Sequence, residues 1–137
     1  MTAILSNLQA IRLAIAQAAE AAKRDMADVC LLAVSKTFPA DAVREAYKAG
    51  QVAFGENYLQ EALEKIEALR DLPLEWHFIG PIQSNKTRAV AENFAWVQSV
   101  DRLKIAERLS AQRPPHLPPL NICLQVNVSG EQSKSGV

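Results

Sequence analysis

Hydrophobic positions along the chain follow two alternating rhythms. Residues 1–25 (MTAILSNLQAIRLAIAQAAEAAKRD) carry apolar side chains at helical spacing and predict an amphipathic helix. Val29 to Lys36 (VCLLAVSK) is a continuous apolar run, the pattern of a strand covered on both faces. Pro39 opens a helical stretch through Ala49, which Gly50 stops. The pair then recurs. A short strand over Val52 to Gly55 precedes a helix over Glu56 to Arg70, with Leu59, Leu63, Ile66 and Leu69 on one stripe. A strand over Leu74 to Gly80 precedes a helix over Ser84 to Asn93, with Ser84 as its N-cap. A strand over Phe94 to Ser99 precedes a helix that Asp101 caps and that runs to Gln112. A proline-rich connection (RPPHLPPL) leads to a fifth strand, Asn121 to Ser129, and a polar tail, Gly130 to Val137.

Strict strand–helix alternation predicts a parallel sheet with right-handed crossovers. Two architectures fit it. One is a complete five-stranded open sheet with helices on both faces. The other is an unfinished eight-fold barrel, because eight units of roughly 25 residues make the usual barrel length of about 200 or more. The pattern leaves both open. The end of the chain directly after strand five, with no helix to cover it, points toward the second.

Composition narrows the function classes. Apolar residues make up 49% and charged residues 22%, the profile of an ordinary globular protein. Fifteen basic and fifteen acidic residues cancel, which removes the electrostatic case for nucleic acid or an anionic membrane as the main partner. No apolar run approaches the roughly 20 residues that span a bilayer. The first residues lack the basic start of a targeting peptide, so the expected compartment is the cytoplasm. Cys30 and Cys123 sit in apolar runs without a second Cys or His at metal-ligand spacing, and are expected as buried free thiols.

In both architectures functional groups gather at the C-terminal ends of the strands. Lys36 ends strand one after six largely apolar residues. Partial desolvation there favours the free amine, the form that attacks a carbonyl to make a Schiff base. The other reading is an ammonium that snorkels to water. His77 alternates with Trp76 and Phe78, so if those aromatics lie under helices it points into the barrel, either to a ligand or as a hydrogen-bonded core residue. Asn57 is placed as a helix cap or as a side chain turned toward a ligand ring or hydroxyl. Gln125, Asn127 and Ser129 alternate on one face of strand five and need polar partners, from a cavity or from solvent. Ser84-Asn85-Lys86 starts a helix and offers only the weak anion site of any helix start. Ser133-Lys134-Ser135-Gly136 lacks P-loop spacing and reads as a loose loop. The chain has no Gly-rich dinucleotide fingerprint and no cluster with metal-ligand spacing.

The segments LLAVSKT (31–37), FGENYLQEALEKI (54–66), EWHFIGPIQSNK (75–86) and the stretch from VQSVDRLKIAERL to LQVNVSGEQSKSGV closely resemble the YggS/PROSC family of pyridoxal-phosphate homeostasis proteins, along the whole chain. The resemblance implies an α/β fold, a (β/α) TIM-type barrel like the N-terminal domain of alanine racemase, here incomplete with about five strands of eight. Residues 1–137 would form the N-terminal part of one such domain. It implies pyridoxal 5'-phosphate as cofactor, held as an internal aldimine on Lys36, with Asn57 and His77 as site-lining candidates. It also implies a role in vitamin B6 homeostasis without turnover, with an amino-acid racemase of the same barrel type as the alternative. Family chains continue well past residue 137 and are expected to be monomeric at full length. A fragment of this length leaves strand five as an edge, and is expected to hold cofactor weakly and to associate.

Overall fold

The structure, a computed structural model, describes residues 2–137, and Met1, the first residue of the expected N-terminal helix, lies outside them. Ten elements follow in order: α1 (Ala3–Ala21), β1 (Ala33–Val34), α2 (Ala40–Lys48), β2 (Ala53–Glu56), α3 (Leu59–Ala68), β3 (Glu75–Phe78), α4 (Thr87–Asn93), β4 (Trp96–Val100), α5 (Leu103–Gln112) and β5 (Asn121–Leu124). Thr2 caps α1 by accepting the amide hydrogen of Leu5 on its hydroxyl at 3.2 Å. Gly50, at φ +98°, turns the chain out of α2 in a conformation open to glycine. Arg12 of α1 seals that turn by donating to Ala49 O at 2.7 Å and Gln51 Oε1 at 3.1 Å.

The five strands pair in parallel in chain order, β1-β2-β3-β4-β5. A doubly wound sheet reverses its strand order at a switch point. This sheet never does. It winds in one direction, as a (β/α) barrel does, so the architecture is an α/β, TIM-type barrel with five strands formed. The core lies between the outer sheet face and the helices. Phe54, Trp76, Phe78 and Val97 of the strands meet Val43, Ala62, Val90, Phe94, Ile105 and Leu109. Phe54 and Trp76 pack with ring centroids 5.9 Å apart, and Phe78 meets Phe94 edge to face at 5.2 Å. Arg113 ties the proline-rich connection to this layer, donating to Ala91 O, Phe94 O and Pro118 O at 2.8, 2.6 and 2.9 Å. Burial pushes its guanidinium pKa below the ordinary value. On the surface, Arg44 of α2 clamps Asp71 with two bonds of 2.7 and 3.0 Å, which hold that carboxyl below its usual range.

Several sequence expectations are corrected. Strand one is two residues long rather than eight, because it pairs on one side only and its start has no ladder partner. Cys30 and Cys123 are exposed, not buried: both lie at sheet edges, Cys30 ahead of β1 and Cys123 in β5. Helix α3 begins at Leu59, not Glu56, and its buried stripe runs through Ala62, Lys65 and Leu69. Neither Ser84 nor Asp101 caps a helix. Ser84 opens a 3-10 turn, and Arg102 precedes α5 with no side-chain cap. The polar tail is tied down rather than loose. Gln125 donates to Ser135 O and Oγ, and Asn127 donates to Glu131 O and Lys134 O, while the amide of Val137 reaches Gln125 O at 3.0 Å. Strand five ends at Leu124 rather than Ser129, and Gln125 and Asn127, just past it, find partners in the terminal turn.

Two outcomes check this architecture. Phe54→Ala should lower unfolding free energy by about 3–5 kcal/mol in denaturant titration, since its ring is enclosed on all sides. Both thiols should react with a thiol reagent in the native protein as fast as in the unfolded chain; a protected thiol would contradict the open sheet edges.

Candidate functional site

Side chains of a parallel sheet alternate between its faces, and the register aligns them into rows. One row runs Val34, Gly55, His77, Trp96 and Asn121. A methyl on Gly55 would lie 3.0 Å from Ile79 Cδ1 and 3.3 Å from Leu32 Cδ2, so Leu32 and Ile79 share the side of the sheet on which Gly55 has no side chain. This is the face opposite Phe54, Trp76 and Phe78, the inner face of the barrel. Trp76 and Phe78 pack under the helices, so His77 lies on the inner face, as its alternation with them implies.

His77 is buried and fully engaged. It stacks on Trp96 with planes 3° apart and centroids 5.6 Å apart. Its Nδ1 receives the Gln98 amide at 2.9 Å, which keeps the ring hydrogen on Nε2, donated to Glu75 Oε1 at 2.7 Å. The flat His77–Trp96 pair forms a floor on the inner face.

Lys36 and Asn57 follow Val34 and Gly55 by two residues, just past the ends of the paired strands β1 and β2, at the C-terminal rim of the sheet. Lys36 is exposed, in the turn that follows β1. That exposure fits the lysine reaching to water, and the partial desolvation expected from the apolar run is corrected, because β1 ends two residues earlier and the side chain lies in the turn. Asn57 departs from the cap reading. Tyr58 is the residue ahead of α3, and no side chain caps the helix. The Asn57 Oδ1 is buried and has no hydrogen-bond partner among the described residues. An unpaired buried acceptor costs free energy unless a ligand or water supplies a donor. Asn57 is also held from behind. A Cβ on Gly80 would sit on the Asn57 carbonyl oxygen and 2.8 Å from its Cα, so the ends of β2 and β3 approach as only glycine allows. Ser99 fixes Gly80 in turn by donating to its carbonyl at 2.5 Å.

Sequence reasoning missed Glu56 and Lys65. Glu56 ends β2 rather than starting a helix, and it alternates with Phe54 on the outer face. It is 0% exposed, and Lys65 of α3, 5% exposed, donates to its Oε2 at 3.0 Å. Extending the strand by one residue would have revealed it, since alternation then puts a carboxylate under a helix that must answer it with a cation. An apolar cavity of about 290 Å³ lies between α1, α2 and β1, lined by Leu8, Ile11, Leu31, Phe38, Val43 and Phe54 among others. No charged side chain lines it, so an anionic ligand finds no partner there. Among the described residues no group of His, Cys, Asp and Glu can hold a metal ion, and no helix is long and apolar enough to cross a membrane.

Gly80→Ala tests the rim. It should destabilise the protein by about 1–3 kcal/mol through overpacking and shift the Asn57 amide resonance, whereas a neutral result would refute the close approach.

Comparison with known proteins places this arrangement. The family model described as alanine racemase, N-terminal domain, matches residues 6–137. A pyridoxal phosphate homeostasis protein of Pseudomonas aeruginosa is 69% identical over 136 residues, covering 99% of this chain and 59% of the relative. PipY of Synechococcus elongatus, solved with pyridoxal phosphate bound, is 48% identical with a TM-score of 0.70, over 74% of this chain and 49% of that one. An unknown protein from Bifidobacterium adolescentis is 33% identical with a TM-score of 0.86, over 97% of this chain and 58% of that one. The chain thus spans under two thirds of the length of these relatives. With its unidirectional parallel sheet and its lysine near the end of the first strand, the chain belongs to the alanine racemase N-terminal domain family, and it is similar to relatives named pyridoxal phosphate homeostasis protein.

Proposed function

We propose that this chain is the N-terminal part of a single pyridoxal-phosphate-binding barrel domain that carries the cofactor on Lys36 and serves vitamin B6 homeostasis rather than turnover. The observation that carries the reading is the juxtaposition at the rim: an exposed primary amine just past the end of β1, and just past the end of the neighbouring β2 a buried acceptor that has no donor among the described residues. These residues fit the group. Lys36 would supply the primary amine that holds the cofactor through its aldehyde. The Asn57 Oδ1 accepts from a hydroxyl or a ring N–H. The flat His77–Trp96 pair would lie beneath the group as a floor. When bound, the cofactor supplies an electron sink.

Homeostasis accounts better for these residues than racemisation does. A racemase needs acid–base groups on both faces of its substrate adduct. On this inner face His77 is held by Glu75 and Gln98, Tyr47 lies in α2, and Tyr58 is exposed at the start of α3. The relatives are named for homeostasis.

Borohydride reduction in the presence of pyridoxal phosphate, followed by peptide mass spectrometry, checks the proposal. A pyridoxyl adduct is expected on Lys36 and is expected to vanish in Lys36→Ala; an adduct spread over surface lysines, or unchanged in the variant, would refute it. Asn57→Ala should weaken cofactor binding by about 1 kcal/mol, roughly fivefold, with the adduct still on Lys36.

A further inference from the structure

The backbone at Lys36 is held by an ionic network on the opposite side of the sheet from the face where the cofactor is proposed to bind. The direction of a side chain is fixed by the two peptide groups that flank its Cα. At Lys36 the first of these is the Ser35–Lys36 peptide. Its carbonyl accepts from Lys65 Nζ at 2.7 Å. The second is the Lys36–Thr37 peptide. Its N–H, on Thr37, donates to Glu61 Oε1 at 2.8 Å. Lys65 and Glu61 are one turn apart on α3, with Nζ 3.5 Å from Glu61 Oε1. Lys65 is anchored further by both oxygens of Glu56, at 3.3 and 3.0 Å, and Ser35 Oγ donates to Glu56 Oε2.

The network holds a conformation the chain would not choose. Thr37 has φ +67°, a left-handed backbone that a β-branched residue rarely adopts and that costs of order 1–3 kcal/mol. No glycine relieves it. A buried ion pair is also a weak source of stability, because desolvating two charges offsets their attraction, and well-packed apolar residues would serve as well for joining α3 to β2. What apolar residues would not supply is a donor for Ser35 O and an acceptor for the Thr37 N–H.

We infer that Glu56, Lys65 and Glu61 are positioning residues that fix both peptide groups around Lys36 and thereby aim its amine at the inner face. The inference rests on the reading of Lys36 as the cofactor-binding lysine. Its first test is nevertheless made without cofactor. Glu61 is 30% exposed at its side chain, so Glu61→Ala removes the acceptor from Thr37 at little risk to folding. In the protein labelled for nuclear magnetic resonance, Glu61→Ala should speed hydrogen exchange at the Thr37 amide about tenfold and move the Lys36 Cα and Cβ shifts, while Glu61→Gln, which keeps an acceptor oxygen, should restore both. With pyridoxal phosphate added, Glu61→Ala should weaken imine formation about tenfold at an unchanged melting temperature and shift the pH midpoint of the imine absorbance, again with rescue by Glu61→Gln. Glu56→Gln combined with Lys65→Met removes the buried charges together and should weaken imine formation likewise while the protein stays folded. Unchanged Lys36 shifts in a folded Glu61→Ala protein would overturn the inference, as would full imine formation in both folded variants. Absence of any Lys36 adduct in the parent protein counts against the cofactor reading alone, since the amide exchange is measured without cofactor.

Discussion

The fold turns on the alternation of side chains along five parallel strands that never change their winding direction. Because the strands pair in chain order, their odd and even positions divide between a helix-covered outer face and an inner face, apart from the register shift between Val97 and Val100 of β4. Phe54, Trp76, Phe78 and Val97 go outward and supply the burial that holds the layers together. Gly55, His77 and Trp96 go inward. Lys36 and Asn57 lie just past the C-terminal ends of two neighbouring strands, β1 and β2. The outer face adds a second constraint there, since Lys65 and Glu61 grip the peptides on both sides of Lys36.

The two faces do different work with similar chemistry. On the outer face Glu56 and Lys65 are closed in, with their donors and acceptors matched, while Glu61 beside them bonds through Oε1 and keeps a buried Oε2 without a partner among the described residues. On the inner face the lower layer is matched too, with His77 bonded on both nitrogens. The rim past the strand ends is not. Among the described residues Asn57 keeps a buried oxygen without a donor, and Lys36 is exposed. A site that binds a small polar ring is expected to show this pattern, satisfied underneath and open above.

Much of this was legible in the residue pattern. The alternation of apolar runs with helical stripes predicted all five strands, and the end of the run at Lys36 marked the rim. The two candidate architectures could not be separated that way, because strand order is a property of the pairing and not of any one segment. Residues at the strand–helix junctions were misread for a physical reason. Glu56 and Asn57 have the chemistry of a helix start, and only tertiary pairing of β2 with β3 draws them into the strand and the loop. Cys30 and Cys123 sit in apolar runs that look buried, yet each lies at an edge of the sheet. Gln125 and Asn127 advertised a need for polar partners, and the partners came from the tail that had seemed structureless.

Three independent features converge on the same reading of the rim: an amine and an acceptor unpaired among the described residues just past the ends of neighbouring strands, the strained Thr37 held beside them, and kinship with proteins named for pyridoxal phosphate homeostasis. The most direct test is a crystal structure of this protein grown with pyridoxal phosphate. Continuous density from Lys36 Nζ onto the inner face, with Asn57 Oδ1 within hydrogen-bond distance of the bound ring or its hydroxyl, is the predicted result. Cofactor density on a different lysine, or in the apolar cavity between α1 and α2, would contradict the account.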